Sequence, residues 1–525
     1  MSDLEAEYLS LIAVTDLKGY SAAETLSYLE SIIDISFDLK KSEGLKHAIN
    51  LSQELPLDDF ATNELALFHY FIGNAWSCLK VIQRKDNDKS WEWEQEEIEN
   101  AIYHFRTALS IAAQGELPDV RTCQILTNLG NLLSHIGRFV EAIEYWNRAL
   151  ETTPSFGMAR GNRGHGLSYY ARQLYDQYQA GLFLKFALND LKEALTQPLE
   201  HDAIEPLRKC AEQIESILSP EFLSKEENLH EHSLGESPDE SRYRRWCLQN
   251  GLFLNPINDL GPYPFAASDL LSLPGIVIET DEEPYYHGFF NQVKQEFVAA
   301  RYLFFEGLME DEPHYSDRDV LLFNTLDYPC YSLATEKLKA SYRMIYSIFD
   351  KVSFFLNHYL ALSIPERRVT FRTLWFNEQN KKKGLRPEFE CRGNWPLRGV
   401  FSLSKDLYEN RDGFKEALEP DAKELHEIRN HLEHKYLKLH DRLWHDPPAR
   451  DDHISQALSD RLACSVYRED FEDKTLRLIK MARAALIYLV LAVHTEERQK
   501  AQKMSQEKTP HVHLALDVWE DDWKR

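Results

Sequence analysis

A chain of 525 residues with 43% hydrophobic and 12% aromatic residues has material for two to four domains, at roughly 150 residues each, and is too apolar to be disordered. A formal net charge of −25 argues against bulk attraction to polyanions, so any nucleic-acid contact needs a local basic patch. Seven scattered cysteines (78, 123, 210, 247, 330, 391 and 464) form no CxxC pair, which argues against a thiolate zinc site or a disulfide framework.

Buried free thiols in a reducing cytoplasm are the simple expectation. The opening MSDLEAEYLS lacks the basic start of a signal peptide. The longest apolar run, Ala484 to Val493, is 10 residues and too short to cross a bilayer. The expected setting is cytoplasmic, with no membrane partner.

Residues 1–60 carry helical patterns in LSYLESIIDISFDLKK and GLKHAINLSQEL. FHYFIGNAW (Phe68 to Trp76) pairs with AIYHFRTALSI (Ala101 to Ile111) across the polar insert RKDNDKSWEWEQEE. In residues 123–156, Leu129, Gly130, Leu133, Ala142, Trp146, Ala149 and Pro154 fall at offsets that let two helices approach closely and stop at a proline. This stretch resembles a tetratricopeptide (TPR) repeat. The period of 34 recurs from Asn128 to Asn162, Gly130 to Gly164 and Leu133 to Leu167, with FALNDLKEALTQP (Phe186 to Pro198) as the next second helix. Residues 1–218 read as a TPR-like helical solenoid of three to four helix pairs. Such solenoids present a concave groove, and Asn128 and Asn162, one repeat apart on first helices, either contact a protein or peptide ligand there or are merely solvated or structural.

Residues 219–241 are polar with Pro, Gly and Ser, and read as a linker. YRRWCLQNGLFLNPINDLGPYPFAASDLLSLPG follows with turn signals and little periodicity. Apolar residues at i, i+3, i+4 and i+7 then predict four long helices, over Pro284–Met309, Glu336–Leu362, Asp421–Leu443 and Asp473–Lys500. The expected class is all-α: the solenoid, then an elaborated helical bundle over 242–500 and a polar tail over 501–525.

Chemistry concentrates in the third of these helices. HEIRNH (His426 to His431) has one residue too many for HExxH, so its histidines stand about 140° apart around a helix. His431 and His434, at i+3, lack a third ligand nearby. Neither a metal site nor a cofactor is expected. In RNHLEH, Arg429 can hold a phosphate through two parallel hydrogen bonds. His434 can move protons near neutral pH, and Asn430 can orient its neighbours. The bland alternative is a solvated helix face with Glu427 and His431 at i+4. Spacing does not decide between them, because Arg160 and His165 in RGNRGH repeat it inside the solenoid.

Residues 367–398 hold nine Lys or Arg against three Glu, a net of +6. Phe371, Trp375, Phe376 and Trp395 are interleaved there. Arg372, Lys381, Lys382 and Lys383 can track a phosphate backbone while Trp375 stacks on a base, or the stretch is a solvated loop with aromatic anchors. Asp350 and Lys351, inside the second bundle helix, can orient an arginine, support a dimer or form an ordinary surface pair.

The Arg429–Asn430–His434 pattern, arginine then a polar residue with a histidine four to six positions on, resembles the signature of the HEPN superfamily of all-α domains. The resemblance extends over RYRRWCLQNGLFLNPINDLG, FFNQVKQEFVAARYLFFEGL and LKASYRMIYSIFDKVSFFLNHYL, about half the chain. It implies a metal-independent endoribonuclease acting in bacterial defence or stress, with RNA as substrate. Two copies would form a homodimer with both motifs facing one cleft. By the same resemblance Arg429 binds phosphate, His434 transfers the proton and Asn430 orients. The alternative is a non-catalytic TPR adaptor whose helical domain mediates dimerisation or nucleotide binding.

Overall fold

The computed structural model describes residues 3–83, 91–113, 117–277, 283–310, 312–323, 325, 327–390, 392–407, 422–441, 462–507 and 516–524. Helices α1 (Asp3–Ile12), α2 (Ala22–Asp38), α3 (Ser42–Gln53), α4 (Thr62–Gln83) and α5 (Glu96–Ala112) begin the chain. They are followed by α6 (Asp119–His135), α7 (Phe139–Thr152), α8 (Gly157–Ala171), α9 (Gln177–Ala194) and α10 (His201–Ile217). Consecutive helices pair as α2/α3, α4/α5, α6/α7 and α8/α9, and each pair packs on the next, which is the solenoid-like layout the 34-residue recurrence predicts. Gly130 shows why that spacing matters: a Cβ there would stand 2.6 Å from Trp146 Nε1, so only glycine lets α6 seat the buried indole of α7. Among the described residues one helix, Thr62–Gln83, is long and apolar enough to cross a membrane. Here it is α4, and its Phe68, Phe71, Ile72 and Ala75 belong to the solenoid core. Residues 84–90 of the polar insert lie outside the described residues.

Residues 219–241 contain one short helix, Pro220–Ser224, and lead into α11 (Pro238–Gln249), which starts at a Ser237 cap with Pro238 in its first turn. The segment after α11 lacks periodicity because side chains, not a backbone ladder, hold it. Arg301 donates to Leu252 O and to both carboxylate oxygens of Asp269, at 2.8–2.9 Å. Arg483 likewise donates to Phe253 O, Asn255 O and Asp259.

The bundle consists of α12 (Tyr285–Met309), α13 (Leu333–Tyr359), α14 (Trp395–Ser404), α15 (Ala422–His434) and α16 (Arg468–Glu507). The Ala484–Val493 run forms the buried centre of α16, against which α13 and α14 pack. Two expectations change. The helix expected over Asp421–Leu443 ends at His434, and Tyr436–His440 forms β1 instead. Asp421 and residues 442–443 lie outside the described residues. β1 pairs in parallel with β2 (Ala463–Tyr467), in the register Tyr436 to Ala463, and Leu439 O also accepts from Cys330 N at 2.7 Å. The reason is the period-2 run Leu437–Lys438–Leu439, whose backbone finds partners on both sides. The fourth helix is also longer than expected, starting at Arg468, and α14 was not anticipated.

Solenoid and bundle share one apolar cluster that runs from Tyr8 to Val493. At their closest approach Gly137, with φ +90°, lies backbone to backbone with Trp395 and Gly399 of α14, where no Cβ fits. The Trp395 indole donates to Ser134 O at 2.9 Å, and its ring centroid lies 4.6 Å from that of Phe139.

Candidate active site on the Arg429 helix

Helix α15 is fixed by an apolar stripe, Leu425, Ile428 and Leu432, at i, i+3 and i+7, all buried. The Tyr342 hydroxyl of α13 donates to Leu425 O at 2.7 Å, and its ring stacks on Phe471 of α16, 5.4 Å between centroids. These contacts turn the flanking polar residues outward.

Arg429 is half-buried, its guanidinium 5.5 Å above the Tyr346 ring of α13. Asn430 Oδ1 accepts from Arg429 Nη1 at 3.3 Å, and Asn430 Nδ2 donates to His426 Nε2 at 2.6 Å. The amide therefore links the arginine to an imidazole one turn back and leaves that imidazole accepting at Nε2. His431 is tied to its own helix, Nδ1 donating to Glu427 O at 2.8 Å. His434 is exposed at the last position of the helix, with Lys435 between it and β1.

Asp350 adds a carboxyl to the electrostatic surroundings of Arg429. Its side chain is exposed by area, yet protein crowds its carboxyl and raises its pKa, against the pull of Arg429 and then Arg372. Arg372 is part-buried and donates to Leu407 O at 3.5 Å. Asp350 thus brings Arg372, from a different stretch of chain, into the electrostatic surroundings of Arg429. Lys351 does not join this group; it pairs with Glu296 and braces α13 on α12. The contacts with His426 and Tyr346 and the nearby charge of Asp350 are not revealed by spacing within RNHLEH, although His426 to Asn430 is an i, i+4 pair.

The basic stretch needs correction. Trp375 is wholly buried, with its indole donating to Phe371 O at 2.8 Å and packed on Trp93, Phe389 and Phe401. It cannot stack on a base. Phe371 and Phe376 are buried too. Arg398 is buried and reaches back to the solenoid, donating to Glu92 O at 2.8 Å, and Arg392 pairs with Glu496 at 3.3 Å. Lys381, Lys382 and Lys383 form a 3-10 turn held by Asn377 and Asn380, in which Lys382 and Lys383 are exposed and Lys383 pairs with Glu378.

The second RxxxxH is accounted for structurally. Arg160 is paired with Glu193 at 3.1 Å and donates to Pro154 O at 2.7 Å, which pins it inside the solenoid. Asn128 and Asn162 are both part-exposed on first helices, and Asn128 donates to Asn74 at 3.1 Å. Among the described residues no group of three or more His, Cys, Asp or Glu is gathered as a metal site would need.

Residues 277–496, which include α15 and every contact of Arg429 described above, match the family model of the LA2681-like HEPN domain. The match supports a HEPN domain in this part of the chain. HEPN domains are often ribonucleases. A crystal structure of BtubC (BKLC) from P. vanneervenii is also similar, at 15% identity over 45% of this chain and 99% of that one. Its TM-score of 0.26 is too low to bear on fold or function. No curated protein matches the chain.

Proposed function

We propose that the chain is a metal-independent endoribonuclease of HEPN type whose solenoid, taken as TPR-like, engages a protein or peptide. The observation that carries the reading is the ordered Arg429–Asn430–His426 chain, with His434 exposed on the same helix and the whole inside the HEPN match. Arg429 grips the scissile phosphate and stabilises the charge that builds on it. The substrate's own 2′-OH attacks the phosphorus, the bond to the 5′-oxygen breaks, and a 2′,3′-cyclic phosphate and a 5′-OH result. His434 takes the 2′-OH proton or returns one to the leaving oxygen. Asn430 orients Arg429. On one helix Arg429 and His434 diverge by about 140°, so the site is composite, formed by two copies around a two-fold axis. Arg372 and the exposed Lys382 and Lys383 extend the phosphate track. A role in bacterial defence or stress, in the cytoplasm, follows from the same resemblance.

The test is RNA cleavage in EDTA by wild type, Arg429→Ala and His434→Ala. Cutting lost in both folded variants supports the reading. Cutting abolished by EDTA would point to a metal hydrolase. One observation favours the adaptor reading: Trp375, Phe371 and Phe376 are buried and Arg392 and Arg398 are engaged within the protein, which removes part of the anticipated RNA track. On that reading wild type cuts no RNA under any condition.

A further inference from the structure

We propose that the solenoid sets the position of the Arg429 helix through Asp406, so that a ligand shifting α5 or α7 acts on the site. The consequence for catalysis rests on the ribonuclease reading; the mechanical coupling does not.

Asp406 lies in the 3-10 turn Lys405–Leu407 that ends α14, and its side chain has no solvent exposure. Two solenoid arginines hold it. Arg106 of α5 donates to Oδ1 at 2.9 Å, and Arg138, from the turn between α6 and α7, donates to Oδ2 at 2.6 Å. Glu141 of α7 chelates Arg138 from the other side, and the neighbouring Lys405 is paired with Glu99 of α5. Every one of these contacts joins a residue before 142 to one after 404 or supports such a contact. The turn's other face meets the site. Helix α15 packs against Lys405–Leu407, and Leu407 O accepts from Arg372, whose charge, like that of Arg429, acts on Asp350. One three-residue turn therefore touches the solenoid through a buried carboxylate and the site through its backbone.

An apolar seam would hold two units together equally well. A buried carboxylate between two guanidiniums differs in kind, because it is stable only in register: displacement of the arginines leaves an uncompensated charge in the core, so the turn must move with them. Apolar contacts slide; this one does not.

The experiment is hydrogen–deuterium exchange on the full chain. In wild type along a urea series, amides of 422–434 are expected to open in the same step as those of 99–106 and 138–144. Independent opening of 422–434 at lower urea, with the junction still protected, overturns the proposal. Asp406→Asn is expected to raise exchange in 422–434 about tenfold while α12 is unchanged, and Glu144→Gln, which breaks a part-exposed pair with Lys480 at the same junction, is expected to leave it alone. If Asp406→Asn does not fold, Arg106→Gln removes one of its two partners, and the urea series stands without any variant. A folded variant with wild-type exchange in 422–434, or with equal loosening of α12, also overturns it. In cleavage assays the Asp406 variant should lose kcat with KM held. Should wild type cut no RNA, the ribonuclease reading fails while the exchange result still decides the coupling.

Discussion

Gly137→Ala isolates the junction in one methyl group. The φ of +90° is strained for any L-residue, at about 1–2 kcal/mol. The new Cβ would overlap Trp395 O, stand 2.8 Å from Gly399 N and 3.2 Å from Trp395 C. All three are backbone atoms, which cannot swing aside, and overpacking of this kind costs about 1–3 kcal/mol. Together they predict a loss of about 2–5 kcal/mol, concentrated where the solenoid meets α14. Gly288, in the first turn of α12, is the counterpart: nothing lies within 4 Å of its missing Cβ. There alanine should stabilise by up to about 1 kcal/mol through helix propensity alone. Calorimetric melting of both variants, with exchange mass spectrometry to locate the loosened region, gives the comparison. A Gly137→Ala chain that melts at or above wild type, or loosens elsewhere than at Ser134–Val140 and Trp395–Gly399, would refute the packing argument.

Other outcomes follow from particular side chains. Trp375→Ala should cost about 3–5 kcal/mol in unfolding experiments as a core truncation, whereas Lys382→Ala should leave stability within about 0.5 kcal/mol and weaken RNA binding measured by filter retention. Burial alone would raise the Asp406 carboxyl, but Arg106 and then Arg138 outweigh it and hold it well below the ordinary carboxylate range. Its folded value thus lies under the unfolded one of about 3.9, so the junction's contribution is complete above about pH 5 and is lost as pH falls from there toward the folded value. Urea unfolding between pH 3 and 5 should show that loss in wild type and a flatter dependence in Asp406→Asn. Asn430→Ala frees Arg429 from its neighbour and His426 from its donor; misplacing a phosphate-binding group can cost up to about 10²-fold in kcat, and Asn430→Asp, which still accepts from Arg429, should recover part of it.

The solenoid-like layout was legible because its signal is local and periodic. Gly130, Trp146 and the 34-residue spacing to Gly164 describe contacts made within one helix pair or with its neighbour. The periodicity over 421–443 likewise placed Arg429, Asn430 and His434 together on one helix, which is observed for Ala422–His434. The strand at Tyr436–His440 was missed because amphipathic helix and alternating strand look alike over five residues, and its partner, Ala463–Tyr467, lies beyond the strand's own sequence. Of the two readings of Trp375, base platform or core anchor, the structure gives the anchor; sequence could not choose because a basic neighbourhood says nothing about where an indole points. The junction had no signature at all: Asp406 lies about 270–300 residues from Arg138 and Arg106, and only the fold brings them together.

Metal-free cleavage of RNA by Arg429 and His434 is tested most directly by the product of a defined RNA incubated with the purified chain in EDTA, resolved by mass. A 2′,3′-cyclic phosphate and a 5′-OH from wild type, and neither from Arg429→Ala or His434→Ala of unchanged melting temperature, is the predicted result. Undiminished cleavage by either variant, or products bearing a 5′-phosphate, would contradict it.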